Sequence, residues 1–290
     1  MNEKENDQYI EIHTRLVYYV GKRKKLIPNT TSFDEYMEYT VEDKYPVRNA
    51  LYKNIHLIED YIEAHSDILS EEDKAIIREF KHFRQGTFYV VKMTKKSTHF
   101  LGKKYVYEVH ALRDPFQLFF GNKVPVMVDT VLLPFKGKII YDGILSTYSI
   151  RFGGGISSSL KNEYALAEGK YGVITSLPEK IDEIKAAHSV ERELLAMMKT
   201  KSSRAYNEYA IEDLLLKHPE LRPTYIREWG RANARNKRKI LKSLGIEKRW
   251  FALVNDTIIA SANSERELRK ETQAMTLDDE QRKGIYYFKV

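Results

Sequence analysis

Residues 124–143, with the sequence VPVMVDTVLLPFKGKIIYDG, decide the fold class of this chain. β-Branched and apolar residues dominate the stretch on both sides of PFKG, as is typical of strands. The PFKG segment at residues 134–137 predicts a turn, because glycine adopts positive φ at little cost. The residues that follow, 138–144, are therefore expected to return antiparallel to the first strand.

The pattern on either side of this hairpin predicts further strands and helices. Further strands are expected at residues 87–91, 104–112, 147–152 and 171–177. Short connections between them favour a curled antiparallel sheet or a small barrel, since a doubly wound sheet needs a helix between successive strands.

Helices are expected on both sides of the sheet. In residues 1–85 apolar side chains recur at helical spacing, as at Ile12, Leu16 and Val20. Ser70 before three acidic residues indicates a capped helix start. The helices predicted after the sheet span residues 157–168, 181–198, 206–217 and 224–244.

The predicted fold class is α+β, with four regions along the chain. Residues 1–85 form a helical region, residues 86–178 an antiparallel β domain, and residues 179–248 a helical basic region that begins beyond Pro178. Residues 249–290 form a small ββαβ module, with a turn at Asn255-Asp256. A length of 290 residues suits about two domains.

Two stretches resemble known groups of proteins. The segments YPVRNALY (45–52), LSEED (69–73), GTFYVV (86–91) and PVMVDTVLLPFKGKIIYDG (125–143) resemble a group of uncharacterised bacterial and archaeal proteins. Residues 250–290 resemble small domains of unknown function in which a hairpin precedes a helix and a strand. Neither resemblance implies a reaction or a catalytic residue.

The composition excludes several classes of function. The chain has no cysteine, which excludes a disulfide framework and a thiolate metal site and favours a cytoplasmic location. The polar, acidic start MNEKENDQYI does not predict a secretory signal. No apolar run reaches the roughly 18 residues that a membrane span requires. No membrane association, cofactor or bound metal is therefore expected.

The basic charge is concentrated in one predicted helix. Residues 222–249 contain 10 basic residues against Glu228 and Glu247, whereas residues 1–85 carry a net charge of −4. A helical spacing of three and four places five cations on one face. This basic stripe consists of Arg227, Arg231, Arg235, Arg238 and Lys242.

The basic stripe predicts a binding function. Five cations at about one per turn suit the phosphates of DNA or RNA and predict salt-sensitive, sequence-independent affinity. The expected function is that of a non-enzymatic, nucleic-acid-associated binding or regulatory protein. An acidic protein partner of the stripe, as in an interaction module of a defence or mobile-element system, is the alternative. The oligomeric state is left open.

A glycine-rich segment is a second candidate site. In FGGGISSS (152–159) the residues Gly153, Gly154, Gly155 and Ser157 lead from a strand into a helix, with Arg151 and Lys161 nearby. Backbone N–H groups at such a turn can bind an anion. A tight turn with a serine cap explains the same pattern. The spacing matches no nucleotide-binding motif.

Acidic and aromatic residues of the sheet region give two further hypotheses. Glu108 and His110 would share one strand face, with Asp129 and Asp142 on neighbouring strands, so a metal-dependent nuclease or phosphodiesterase is an alternative function. Ordinary solvent-facing alternation explains the same residues. Exposed aromatics among Phe116, Phe119 and Phe120, beside a Gly121-Asn122 turn, would suit stacking on single strands. Most aromatics are instead expected in the core, and this cluster could equally form a protein interface.

Overall fold

A computed structural model describes residues 1–94, 97–121, 123–148, 150, 152–177 and 190–290. Within them the chain is α+β, as the sequence predicts. It divides into two compact units. Of the described residues, those up to 160 and residues 173–177 belong to the first unit, the barrel unit, and residues 161–172 and 190–290 belong to the second, the basic unit. The predicted boundary at Pro178 lies outside the described residues.

The barrel unit begins with helices. They are α1 (Glu3–Arg23), α2 (Phe33–Met37), α3 (Val41–Lys53), α4 (Leu57–Ala64) and α5 (Glu71–Glu79), followed by a 3₁₀ turn at Phe80–His82. Side-chain caps fix several starts, and Ser70 accepts a hydrogen bond from the Asp73 backbone N–H, as its position predicts. The apolar face of α1 is buried, including Leu16 and Val20. The predicted helical N-terminal region is thus confirmed.

Six strands of this unit form one sheet. They are β1 (Arg84–Met93), β2 (Thr98–Leu101), β3 (Val106–His110), β4 (Val126–Phe135), β5 (Lys138–Thr147) and β6 (Val173–Ile174), with the short helix α6 (Phe116–Phe120) between β3 and β4. β4 and β5 form the predicted hairpin, with Phe135 opposite Lys138. Positive φ at both Lys136 and Gly137 makes the two-residue turn.

The sheet closes on itself. β1 pairs with β2 and β4, β4 with β5, β5 with β3, and β3 with β2, which completes a ring of five strands. β3 joins β5 through two residue pairs, Val109 with Ile139 and His110 with Ile140. The small barrel considered from the sequence is therefore present.

Two details of the predicted sheet are wrong. The sheet is mixed and not wholly antiparallel, because β3 runs parallel to both β5 and β6. A separate strand at residues 147–152 is absent from the described residues of that stretch, since β5 itself continues to Thr147. A register shift between Thr130 and Leu132 and a positive φ at Gly143 carry β5 through that extension.

The basic unit combines helices with a small sheet. Its elements are the part of α7 (Gly154–Tyr171) from Lys161 onward, α8 (Val190–Met198), α9 (Lys201–Tyr206), α10 (Glu208–Lys217), a 3₁₀ turn at Pro219–Leu221, α11 (Arg222–Ser243), β7 (Trp250–Val254), β8 (Thr257–Ala262), α12 (Glu265–Ala274), α13 (Asp279–Lys283) and β9 (Tyr286–Lys289). The sheet order is β8-β7-β9, all antiparallel. The predicted helix at residues 181–198 is described from Val190 onward.

The helix α11 has two apolar sides. One packs on the small sheet, where Ala234, Leu241, Leu253 and Phe288 share a core. The other contributes Trp229 and Tyr225 to a core built mainly on α8 and α10. Between these apolar sides the polar face of α11 remains exposed, and it carries the basic stripe.

Candidate nucleic-acid interface

The basic stripe lies on α11 as the spacing predicts, and its N-terminal half is paired within the chain. Arg231 binds Glu228 one turn earlier, with Nε 2.7 Å from Oε2. Arg227 Nη2 lies 3.8 Å from Glu191 Oε1 on α8. The Arg227–Glu191 pair is exposed, whereas the Glu228 carboxylate is largely buried, and both pairs lower the charge available to a partner. These two arginines are therefore weak candidates for contacting an anion.

Arg238 is used to pack α11 on the small sheet. Its Nε donates a hydrogen bond to the Lys289 carbonyl oxygen at 3.0 Å, and its guanidinium lies 5.1 Å from the ring centroid of Phe288. Both partners belong to β9, the last strand. A guanidinium that stacks and donates in this way is held in place by the fold. Its charge still adds to the local potential.

The C-terminal half of the helix carries cations of another kind. Arg235, Lys239 and Lys242 are exposed, and within the described part of the chain no carboxylate, hydrogen-bond acceptor or ring is recorded against their charged groups. Residues 235–249 contain seven basic residues and one acidic residue, Glu247. The unpaired positive charge therefore lies along the last two turns of α11 and the residues that follow it.

A groove runs beside these cations. It has a volume of about 950 Å³ and lies between α11 and the pair α9–α10. Its aromatic wall is Tyr225 and Trp229, whose rings stack with centroids 6.0 Å apart and 21° between their planes. Its charged lining residues are Lys201, Arg204, Arg235 and Lys239, opposed by Glu208 and Glu212. Four cations against two carboxylates leave the groove positive.

Arg204 connects the aromatic wall to the stripe. Its guanidinium lies 5.5 Å from the Trp229 ring centroid, and its Nη1 donates to the Met198 carbonyl oxygen at 2.8 Å. Burial lowers the pKa of Arg204 below its usual value, and the nearby positive charge of Arg231 lowers it further. An anion bound near Arg204 would offset this repulsion.

No known protein family, curated protein or solved structure matches this chain. The resemblances noted from the sequence stay predictions. Across the described ranges, no helix has the length and apolarity of a membrane span.

The glycine-rich candidate lies at the start of α7. Gly153, Gly154 and Gly155 are exposed, and the backbone N–H of Ser157 donates to the Gly153 carbonyl oxygen at 3.0 Å. The space where a Cβ would stand is open at all three glycines. The anion site at this turn stays a prediction, and Arg151 lies outside the described residues.

The acidic candidates do not form a metal site. Glu108 lies near two histidines, with its Oε1 3.6 Å from His110 Nε2 and its Oε2 3.9 Å from His99 Nε2. Asp129 is half-buried on β4 and accepts hydrogen bonds from Thr87 and Tyr148. Asp142 is buried beside Arg48. Among the described residues no three acidic or histidine side chains are placed to hold a metal ion.

The aromatic candidates of the barrel unit separate by burial. Phe116 and Phe120 are buried, and Phe119 is half exposed. The two buried rings stack with centroids 6.0 Å apart, and Phe116 also packs on Tyr141. These two are therefore core residues, and Asn122 of the predicted turn lies outside the described residues. Sequence reasoning missed Trp229 and Arg204, although an aromatic inside a run of arginines was a visible signal.

Proposed function

We propose that the basic unit binds single-stranded nucleic acid along the C-terminal half of α11 and the adjacent groove. The observation that carries the proposal is the contrast within one helix. The cations at its start are paired with Glu191 and Glu228, whereas Arg235, Lys239 and Lys242 have no partner among the described residues. Exposed cations without a carboxylate partner can neutralise phosphates and so release the cations condensed on the nucleic acid.

The groove supports single strands over a duplex. An aromatic wall beside a positive channel is the usual arrangement of sequence-tolerant single-strand binders, since every base has a face on which an aromatic ring can stack. Tyr225 and Trp229 form such a wall, and the cations Arg235 and Lys239 line the same groove. A duplex buries its base faces and would meet the cations alone. The arrangement therefore favours single strands as the ligand. We propose binding alone, without a reaction on the nucleic acid.

The test compares two sets of substitutions on the same helix. The first variant, Arg235→Gln/Lys239→Gln/Lys242→Gln, removes unpaired cations, and the second, Arg227→Gln/Arg231→Gln, removes paired ones. Anisotropy with a fluorescein-labelled 20-nucleotide single strand is measured over a series of salt concentrations. Each lost phosphate contact lowers the slope of log affinity against log salt by about 0.7 for single strands. The first variant is expected to lose about two units of slope, and the second less than one.

Trp229 gives an independent optical signal. The chain contains two tryptophans, Trp229 in the groove and Trp250 in β7. In a Trp250→Phe background, emission comes from Trp229 alone. When a single strand binds, a base that stacks on Trp229 or displaces Arg204 from its ring should quench this emission. The quenching should reach its midpoint at the same strand concentration as the anisotropy change.

Three results would contradict the proposal. The wild-type chain shows no retention of single strands at about 50 mM salt, where phosphate-driven binding is strong. Both variants bind as wild type does, which would place the ligand elsewhere. Polyglutamate of matched charge competes as well as an unlabelled single strand, which would point to an acidic protein partner.

A further inference from the structure

A fully buried arginine in the barrel unit lacks the partners that burial normally demands. Arg48 on α3 is 2% exposed, and its Nη2 has no hydrogen-bond partner within the described residues. Its guanidinium lies 4.7 Å from the Tyr45 ring centroid, and this contact with a ring does not satisfy the N–H groups of Nη2. Buried charged groups are usually paired and hydrogen-bonded, because desolvation of an unmatched cation is costly.

Asp142 on β5 balances Arg48 incompletely. Its Oδ2 lies 3.2 Å from Arg48 Nε, but the two groups are not aligned as a hydrogen bond, and neither atom has another partner in the described chain. The other carboxylate oxygen accepts from the Ile144 backbone N–H at 3.2 Å. Burial raises the pKa of Asp142 to about 7, although Arg48 opposes the rise. Near neutral pH the carboxyl is therefore partly protonated and the charge of Arg48 only partly balanced.

Both side chains line one cavity. It has a volume of about 290 Å³ and lies against α1, α2, α3 and β5. Tyr9, Tyr36 and Tyr141 give it aromatic walls, and burial raises the pKa of all three hydroxyl groups above the usual value, so they stay neutral. This size admits a ligand of about one ring with a substituent, at the small end of protein ligand sites.

A second cation lines the same cavity. Lys44 lies one helical turn before Arg48 on α3, and its Nζ donates to the Met37 carbonyl oxygen at 2.6 Å. Partial burial lowers the pKa of Lys44. The remaining charged lining residues are Arg113 and Asp114, and Arg113 Nη2 is already paired with Asp7 at 2.7 Å. His13 also lines the cavity, where burial lowers its pKa to about 3 and keeps it neutral, with Nε2 3.0 Å from Tyr52 Oη.

We propose that this cavity is a binding site for a small organic anion, a carboxylate or phosphate group on a short aromatic or apolar body. The anionic oxygens would accept hydrogen bonds from Arg48 Nη2 and Lys44 Nζ, and the body would lie among the three tyrosine rings. A guanidinium edge without a partner is the geometry that binds carboxylate or phosphate oxygens. An anion here competes with ionised Asp142, so binding is accompanied by proton uptake on that carboxyl.

The experiment uses the full chain and three probes of similar shape. Benzoate and phenyl phosphate carry the two anionic groups, and benzamide is the uncharged control. Saturation-transfer NMR is titrated with each probe at pH 6 and pH 8. We expect at least one anion to bind about tenfold more tightly than benzamide, the effect of one charge-assisted hydrogen bond, and to bind more weakly at pH 8. Binding of benzoate would identify the anionic group of the ligand as a carboxylate, and binding of phenyl phosphate would identify it as a phosphate.

Substitutions inside and outside the cavity locate the site. Lys44→Met should lower the affinity for the anion by about tenfold. Lys53 is an exposed lysine on the same helix outside the cavity, so Lys53→Met should leave that affinity unchanged. Asp142→Asn removes the competing charge, so the affinity of this variant for the anion should no longer fall between pH 6 and pH 8. The proposal is wrong if no probe binds, if benzamide binds as tightly as both anions, or if Lys44→Met and Asp142→Asn behave as wild type.

Discussion

Arg48 and Arg235 are the same side chain in opposite environments. Arg48 is buried in the barrel unit beside one imperfectly aligned carboxylate, and Arg235 is exposed on α11 with no partner among the described residues. Water stabilises Arg235 fully, so its charge costs the fold little and remains available to a ligand. Arg48 has lost that water, so the fold must tolerate its charge or a ligand must match it.

The comparison shows that unpaired charge has two different meanings. On a surface it signals long-range attraction, which salt screens and which many polyanions share. Inside a cavity it signals a local, shape-limited contact that salt affects less. The basic unit therefore suits an extended polymer, and the barrel unit suits a small molecule.

The first expected difference is in the stability of the two arginine variants. Arg48→Met leaves Asp142 buried without its counter-ion and should destabilise the barrel unit by about 3 kcal/mol, the low end for breaking a buried pair, because Asp142 can take up a proton. Arg235→Met should change stability by less than about 0.5 kcal/mol. Urea unfolding followed by far-UV circular dichroism checks both.

Tryptophan emission provides the control for this pair. Both tryptophans belong to the basic unit, so their fluorescence reports the surroundings of side chains in that unit. We expect Arg48→Met to shift the dichroism transition to lower urea. Equal stability of the two variants would show that Arg48 is solvated like Arg235, which contradicts the contrast between their environments.

The pH dependence of stability tests the same buried pair. The folded chain holds the Asp142 proton more tightly than the unfolded chain, with a pKa raised from 3.8 to about 7. The stability that this proton confers is complete below 3.8 and is lost as pH rises through 7. Relative to wild type, Asp142→Asn should therefore gain about 1.4 kcal/mol per pH unit across that window.

His13 has the opposite sign. Its pKa falls from 6.5 to about 3, so the folded chain binds this proton less tightly than the unfolded chain. Its neutral form contributes stability above pH 6.5 that is lost as pH falls through 3. As pH falls from 6.5 to 3, His13→Gln should therefore gain about 1.4 kcal/mol per pH unit relative to wild type. Parallel stability profiles for wild type and both variants would show that neither group is desolvated.

A glycine on α11 tests how closely the basic helix is fixed to its sheet. A Cβ at Gly230 would lie 2.9 Å from the Cβ of Tyr286 on β9, so Gly230→Ala must move the helix or the strand. We expect a loss of about 1–3 kcal/mol, the usual cost of overpacking. The tryptophan-detected transition should report it, while Gly154→Ala, which meets open space, should leave that transition unchanged.

The smallest expected effect concerns the cap of α12. Ser264 accepts a hydrogen bond from the Glu267 backbone N–H at 3.2 Å. Ser264→Ala should cost about 1 kcal/mol, whereas Ser264→Asp should cost almost nothing, because a carboxylate caps equally well. Tryptophan emission during urea unfolding distinguishes the two.

Most of the architecture could be predicted because its signals are local. Alternating apolar residues around the PFKG turn predicted the β4–β5 hairpin, and helical spacing with serine caps predicted α5 and α12. The parallel pairing of β3 with β5 could not be predicted, since it joins residues far apart in the chain through a crossover. The short strand β2 was missed because its four residues, THFL, are too few to show a period.

In the candidate sites, too, local features could be predicted from the sequence and tertiary contacts could not. Helical spacing placed the five stripe cations on one helix face, but it carried no information on which of them a distant carboxylate such as Glu191 would meet. Arg48 was missed entirely, because burial of a charged residue is a tertiary property and a lone arginine in a helix normally faces water. Asp142 was assigned to a metal cluster when its partner is Arg48, a residue 94 positions away in the sequence.

The uneven closure of the barrel has a consequence for its motions. β4 and β5 share a long ladder, whereas β3 and β5 meet through two residue pairs, close in sequence to Asp142. Local opening of a folded protein starts where the fewest bonds must break. Amide hydrogens along this short seam should exchange with deuterated water sooner than those of the hairpin, and a molecule seated beside Arg48 should slow that exchange.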